Sequence, residues 1–214
     1  RSSVILDPVT MVFDPDNHID WYDDYLESNP DRYYWNRLER FAFKSLSNKL
    51  GVDKSTKIIR NLDNDTESIV AQLENPLREE FNSKGLVVGY VQSGKTANFT
   101  ALIAKAADAG YRLIIVLAGI HNILRKQTQI RLDQELTGMD DLALSEMGKV
   151  FIEEPSDIKE WIRLTTAGPF DEGEFKPTGK NPFKSIANKK PPVIAIVKKY
   201  KTVLESLIRY FDKA

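Results

Sequence analysis

Eight consecutive residues, Gly89 to Thr96, have the types and spacing needed to bind the phosphates of a nucleotide. They fit the pattern G-x-x-x-x-G-K-[ST] of the phosphate-binding P-loop. In such a loop the backbone N–H groups and the start of the following helix point toward one anion. Lys95 is expected to reach the β- and γ-phosphates and to be catalytic, and the Thr96 hydroxyl to ligate Mg²⁺. The residues predicted to contact Mg-ATP are Gly89, Gln92, Ser93, Gly94, Lys95, Thr96 and Ala97.

The residues on either side of this motif suit a P-loop. Leu86–Val88 is apolar and β-branched, which predicts the end of a buried strand. After the motif, Phe99, Ile103 and Ala107 recur at every fourth position, the spacing of one helix face. The alternative interpretation of the motif is a glycine turn with an exposed lysine. The strand–turn–helix context favours nucleotide binding over this alternative.

Further strands and helices alternate along the rest of the chain. Apolar runs predict strands at 113–118, 150–152 and 193–197, and periodic segments predict helices at 122–136, 156–164 and 203–211. Asn122 is a candidate N-cap of the first of these helices. This alternation predicts an α/β fold in which a doubly wound, mostly parallel P-loop NTPase sheet carries the site.

The segment before the P-loop strand predicts a helical leader. Apolar residues fall near helical spacing at 31–50, where Gly51 is a plausible stop, and again at 58–73, before Asn75-Pro76. We therefore expect a leader at 1–83 and a partial P-loop core at 84–214. Within the core, the prolines and glycines of residues 165–192 predict an exposed loop.

Composition narrows the classes of function. The net charge is −1, so the chain is not a polycation, and it has no cysteine for disulfides or metal ligation. No apolar run approaches a membrane span, and we expect a cytoplasmic protein. Because residue 1 is arginine, we also expect the chain to be part of a longer protein.

Hydrolysis of ATP normally requires an acidic residue at the end of a second strand, to orient Mg²⁺ and water. Glu153-Glu154 is the one internal candidate, and it is weak because its strand is short and Pro155 follows. We favour an acidic strand beyond Ala214, in which case this chain binds nucleotide but hydrolyses it poorly.

The residues around the motif also resemble a known family. The stretch GLVVGYVQSGKTANFTALIAKAADAGYRLIIV and the following LAGIHNILRKQTQIRLD are similar to the helicase-like ATPase region of bacterial Z-one (putative endonuclease) domain proteins. The resemblance implies a superfamily 2, RecA-like architecture and a place in restriction or antiphage systems. It also implies that the acidic motif, a second helicase lobe and the endonuclease-named domain belong to the remainder of the protein.

The same resemblance implies contact with nucleic acid, and DNA is the expected form. Residues 118–131 occupy the position of helicase motif Ia, and the lysines after the last strand that of motif Ib. The expected phosphate-contacting residues are Asn122, Arg125, Arg131, Lys198, Lys199 and Lys201. Without the resemblance, solvated surface cations are an equal interpretation, and Arg125 and Arg131 do not share a helix face.

Three functions remain open at this stage. The leading one is the ATP-binding part of a helicase-like, DNA-directed ATPase. The second is a nucleotide-dependent protein-interaction switch without hydrolysis. The third and least favoured is a P-loop kinase, for which residues 165–192 supply no arginine-rich lid.

Overall fold

The chain forms two compact units, residues 1–110 and residues 111–214. The computed structural model describes residues 18–81, 83–87, 96–138, 161–168, 173–176 and 191–212, with the backbone of Met11, Val12 and Lys95. The division differs from the predicted one, which placed the boundary at 83/84 and grouped the P-loop helix with the following strands.

The N-terminal unit is built around four helices. These are α1 (Tyr22–Ser28), α2 (Tyr33–Leu50), α3 (Val52–Ala71) and α4 (Lys95–Ala109). The predicted helix at 31–50 is confirmed by α2, and Gly51 ends it in the left-handed region, at φ 81°. The second leader helix is confirmed too, but α3 begins earlier than predicted and runs without a break through Asn61–Asp65.

Apolar faces hold these helices together. α4 packs against both α2 and α3, and its Ala101 and Ala104 are fully buried. Trp35 on α2 and Val70 on α3 are also fully or almost fully buried. Small alanine side chains allow close approach of the helices, so α4 is a central part of the core of this unit.

The strand before the P-loop does not have the predicted environment. β1 (Met11–Val12) and β2 (Leu86–Val87) form an antiparallel pair in which Met11 faces Val87. Leu86 is 63% exposed and Val87 39% exposed, so the prediction of a buried strand was wrong. Apolar, β-branched residues favour extended backbone, but they do not specify which partner strand pairs with it.

The C-terminal unit contains a parallel sheet of three strands in its described part. The strands are β3 (Leu113–Leu117), β4 (Ile162–Arg163) and β5 (Val193–Val197), in the order β3-β5-β4. β5 is central and fully buried, and it pairs from Val193 opposite Leu113 to Val197 opposite Leu117. The strands predicted at 113–118 and 193–197 are confirmed, and the strand predicted at 150–152 lies outside the described residues.

One predicted helix of this unit was wrong in its described part. Residues 156–164 were predicted to be helical, yet Ile162–Arg163 forms β4, with Ile162 opposite Val193. Ile162 N–H donates to Pro192 O at 3.0 Å and Leu164 N–H donates to Ile194 O at 2.9 Å. The backbone hydrogen-bonding groups at the edge of β5 therefore determine the strand conformation of Ile162–Arg163, which the short segment did not specify by itself.

Two helices complete this unit. α5 (Asn122–Leu132) continues into a π-helical turn, Asp133–Thr137, and α6 (Lys201–Phe211) follows β5. Both helices were predicted. One apolar cluster packs α6 on the sheet, and its members are Phe175, Ala195, Val197, Leu207 and Tyr210.

The described chain is thus a mixed α/β protein with a small parallel sheet and six α-helices. Of the helices in this part of the chain, none combines the length and apolar composition that a membrane span requires.

Candidate functional site

Most of the predicted P-loop lies outside the described residues. Segment 88–94 is not described, and Lys95 is described only as the first residue of α4. The predicted contact residues in that segment are Gly89, Gln92, Ser93 and Gly94. The described neighbours of the motif are a strand and a helix, since β2 ends at Val87 and α4 begins at Lys95.

The start of α4 has the electrostatic character that a phosphate site requires. Its first turn carries no acidic side chain, so none of its own carboxylates offsets the partial positive charge of the helix N-terminus. Thr96 and Ala97 are half-buried in this turn. The Thr100 hydroxyl donates to the Thr96 carbonyl at 2.8 Å, which leaves the Thr96 hydroxyl uninvolved in that bond. A helix N-terminus without acidic side chains in its own first turn is compatible with an anion.

Toward its other end, α4 is joined to α3 by a buried lysine. Lys105 is 0% exposed, and its Nζ lies 2.6 Å from both the backbone oxygen and the carboxylate Oδ1 of Asp63. The same Nζ lies 4.7 Å from the ring centroid of Trp35. Burial lowers the pKa of Lys105 from its ordinary value of 10.5, while the hydrogen bond to Asp63 and the charges of Asp63 and Glu67 oppose the shift. A buried ammonium group requires such compensation, so the position of α4 against α3 is specified at this point.

A second polar contact joins α4 to α2. The Asp108 carboxylate accepts hydrogen bonds from the N–H groups of Tyr34 and Trp35, each at 2.9 Å. Both groups belong to the first turn of α2, where the N-cap residue Arg32 makes no side-chain capping bond. Tyr25 donates its hydroxyl to the Asp108 carbonyl at 2.6 Å. α4 therefore supplies the cap of α2.

In the C-terminal unit, α5 carries a buried row of polar side chains. Arg125, Gln129 and Asp133 are four residues apart, hence on one face, and each is at most 1% exposed. Gln129 Nε2 donates to both carboxylate oxygens of Asp133 at 3.0 Å, and Arg163 NH1 lies 3.1 Å from Asp133 Oδ2. This face packs against the sheet. Gln129 and Asp133 are paired on it, whereas Arg125 Nε and NH2 make no hydrogen bond, and the burial of the whole row predicts a structural role for it.

Arg125 is held by Thr166, Gly173 and Glu174. Its NH1 group donates to Thr166 O at 3.0 Å and to Gly173 O at 3.3 Å. Glu174 Oε2 lies 3.7 Å from Arg125 Nε and 3.5 Å from Lys198 Nζ. One buried carboxylate therefore neutralises two cations that follow different strands of the sheet.

Thr165 joins this polar row to the central strand. Its hydroxyl donates to Gln129 Oε1 at 2.7 Å and accepts from Ile196 N–H at 2.9 Å. β4 ends at Arg163, so this side chain provides the acceptor that a longer β4 would provide with its backbone.

The six residues predicted to contact nucleic acid have different environments. Arg125 is buried, and only 14% of the Lys198 side chain is exposed. Arg131 is 43% exposed and pairs with Glu135 at 2.8 Å. Lys199 is exposed, and the Lys201 side chain is 86% exposed. Asn122, the last of the six, is half-buried at the start of α5. The structure thus leaves Lys199, Lys201 and part of Arg131 at the surface.

The prediction that Asn122 is the N-cap of α5 was wrong. The helix begins at Asn122 itself, and the preceding residue, His121, has the extended cap conformation without a side-chain capping bond. Glu153 and Glu154, the candidate acidic pair, lie outside the described residues.

Sequence reasoning missed the residues that anchor these elements: Lys105, Asp108, Thr165 and Glu174. The sequence contains one signal for Lys105, because this lysine interrupts the alanine-rich stretch from Ala101 to Ala109. A lysine on the apolar side of such a helix is either buried with a partner or turned toward solvent. The partners of Asp108 and Thr165 lie 74 and 31 residues away, and no local pattern predicts them.

A cavity of about 220 Å³ in the N-terminal unit does not suit a phosphate. It is lined by three carboxylates and three other residues, namely Asp20, Trp21, Tyr22, Asp23, Asp24 and Ala71. Within the described ranges, no group of three or more His, Asp or Glu residues could hold a metal ion. No protein-family model, curated protein or solved structure matches this chain. Function is therefore inferred from the motif and from the geometry around it.

Proposed function

We propose that the chain binds Mg-ATP at Gly89–Thr96 and is the nucleotide-binding part of a helicase-like, DNA-directed ATPase. One observation carries the proposal: the Lys-Thr end of the motif opens α4, at a helix N-terminus whose first turn has no acidic side chain. Both the motif and this position favour an anion, and the spacing to Thr96 favours an Mg²⁺-bound phosphate.

Each of these residues has a distinct role in the proposal. The backbone N–H groups of the loop and of the first turn of α4 hold the phosphate oxygens. Lys95 offsets charge on the β- and γ-phosphates, and Thr96 contributes a hydroxyl ligand to Mg²⁺. When bound, the metal ion supplies further charge neutralisation at the phosphates.

The finer fold also belongs to this proposal. A P-loop NTPase of the RecA-like kind carries its loop between a strand and a helix, and β2 and α4 are the strand and helix on either side of the motif here. We propose that the chain is a partial core of this kind, related to the helicase-like region of Z-one domain proteins. The remainder of the protein would then supply the acidic strand for hydrolysis.

Contact with DNA is proposed for the exposed part of the basic set. Lys199 and Lys201 follow β5, and Arg131 lies on α5. Such contacts are made to backbone phosphates, so binding depends strongly on salt and little on base sequence. Arg125 and Lys198 already share the Glu174 carboxylate, and we assign them to the fold.

The ion pairs of Glu174 with Arg125 and Lys198 favour a second candidate function. Two of the predicted cations are neutralised internally, which reduces the positive surface available to DNA. A nucleotide-dependent protein-interaction switch without hydrolysis needs no such surface. The two candidates share nucleotide binding and differ in turnover.

The proposal is tested by nucleotide binding and by ATP turnover with and without DNA. Turnover is measured on the whole protein of which we propose this chain is a part. We expect Lys95→Ala to lower turnover roughly 100- to 1000-fold, because a charge-stabilising group is lost. Lys57→Ala, at an exposed position of α3, is the matched control and keeps wild-type values.

The outcomes separate the candidates. Turnover that rises with DNA and disappears in Lys95→Ala supports the ATPase. Nucleotide binding without turnover, with or without DNA, supports the switch. Ordinary ATP affinity in a folded Lys95→Ala variant refutes the P-loop proposal.

A further inference from the structure

The helix that opens with the P-loop residues is held at its far end by the leader. Lys105 contacts α3 through Asp63, and Asp108 contacts α2 through the N–H groups of Tyr34 and Trp35. Lys105 lies nine positions after Thr96, hence about 14 Å along the helix axis. Neither residue can touch a nucleotide held at the helix N-terminus.

Two polar contacts to different helices define the placement of α4 more tightly than apolar packing alone. The Lys105 ammonium group is fully buried, so displacement from Asp63 leaves a charge without its partner. Asp108 accepts two N–H groups with its two oxygens, which restricts the rotation of α4 about its axis. Directly before Lys105, Ala104 is fully buried and permits close helix contact.

A network on α3 reinforces this contact. Asp63 Oδ1 lies 2.6 Å from Lys105 Nζ and 3.6 Å from Arg32 NH1, and Arg32 NH1 is also 3.6 Å from Glu67 Oε1. Arg32 directly precedes α2. The start of α2, the middle of α3 and the end of α4 therefore share one set of charges, so movement of any of the three helices disturbs the others.

We infer that Lys105 and Asp108 are positioning residues for the nucleotide site, through which the helical leader sets the location of the Thr96 hydroxyl and of the α4 N-terminus. The inference rests on the proposed function and adds regulation to it. A rigid helix transmits a displacement at Lys105 to its first turn, and phosphate and Mg²⁺ sites tolerate little misplacement. By linkage, a bound nucleotide stabilises the contacts of the leader, and a partner that displaces the leader weakens nucleotide binding.

The test compares Lys105→Met with Lys57→Met in the full chain. Methionine keeps an unbranched side chain one atom shorter than that of lysine and removes the charge. Lys57 provides the same substitution at an exposed position of the leader. ATP affinity is measured with and without Mg²⁺, beside circular dichroism and thermal unfolding. We expect Lys105→Met to weaken Mg-ATP binding roughly tenfold, a usual size for coupling between sites.

The dependence on Mg²⁺ separates positioning from stability. If α4 shifts, the contribution of Thr96 to Mg²⁺ binding falls, so affinity with Mg²⁺ declines more than affinity without it. Lys57→Met keeps the wild-type ratio. A folded Lys105→Met variant with a lower melting temperature but unchanged affinity and unchanged Mg²⁺ dependence overturns the inference.

Hydrogen exchange of the wild-type chain provides a second measurement if Lys105→Met does not fold. Saturating Mg-ATP is expected to slow exchange at the amides of Tyr34 and Trp35, because Asp108 accepts both. Unchanged exchange at these amides, with nucleotide demonstrably bound, overturns the inference and leaves the proposed function intact. Absence of nucleotide binding by the wild type overturns both.

Discussion

Replacing Thr165 with valine removes one oxygen atom from a buried position and preserves the shape of the side chain. Thr165 is 2% exposed, and its hydroxyl serves Gln129 and the backbone of Ile196, both of which are fully buried. After the substitution, Gln129 Oε1 and Ile196 N–H each lose this partner. Neither can reach solvent at its position, so both groups keep their desolvation cost.

The size of the effect follows from counting these two groups. An unsatisfied buried polar group costs about 2 kcal/mol, so the sum is about 4 kcal/mol for Thr165→Val. Thr165→Ser keeps the hydroxyl and loses one methyl group, which costs about 1 kcal/mol. With a urea m-value of about 2 kcal/mol/M, valine shifts the unfolding midpoint by about 2 M and serine by about 0.5 M.

The assay is urea denaturation of the three proteins, followed by hydrogen exchange at the amides of Val193–Val197. Exchange at β5 reports on the C-terminal unit, which is one of two compact units of the chain. The reasoning is refuted if valine and serine shift the β5 transition equally, or if valine leaves it unchanged.

Two further predictions concern charge. Glu174→Gln leaves the buried Arg125 without a counter-charge and is expected to destabilise the C-terminal unit by about 3 kcal/mol, as measured by urea unfolding. The control is Glu205→Gln, which removes an exposed ion pair with Lys201. An effect of Glu174→Gln no larger than that of the control contradicts the prediction. In the N-terminal unit, burial lowers the pKa of Lys105 below its ordinary value of 10.5. Between the folded-state pKa and 10.5 the unfolded state binds more protons than the folded state. The free energy of unfolding therefore increases as the pH rises through this window. Above pH 10 stability falls again, because burial raises the pKa of Tyr22 and the unfolded tyrosine loses its proton first. Urea midpoints across this range test the curve, and a rise that persists in Lys105→Met disproves the assignment to Lys105.

Local sequence patterns predicted several elements correctly. β3 and β5 are continuous apolar runs, which are typical of parallel strands, and α6 places Val203, Leu207 and Phe211 on or beside its buried face. The helix predicted after the motif is confirmed by α4, which begins at Lys95. In each case the determining information lies within a few neighbouring residues.

Short strands were the least predictable elements. Leu86–Val87 pairs with Met11–Val12, and Ile162–Arg163 pairs with β5, although the first was expected in the parallel sheet and the second in a helix. Two residues carry no periodicity that separates a strand from a helix. Their conformation depends on which backbone groups are free nearby in the fold.

The sequence by itself determined the P-loop motif, the helix that follows it and the central strands, because these depend on residue type and local spacing. Only the tertiary structure decided what the charged residues do. Arg125 belonged to an expected DNA-contacting set, and it is buried against Thr166, Gly173 and Glu174. Lys105 was not among the predicted site residues, and it holds α4 to the leader through Asp63, 42 residues earlier. A charged side chain has the same local pattern whether it faces solvent or a buried partner, and the choice is made by groups that only folding brings near.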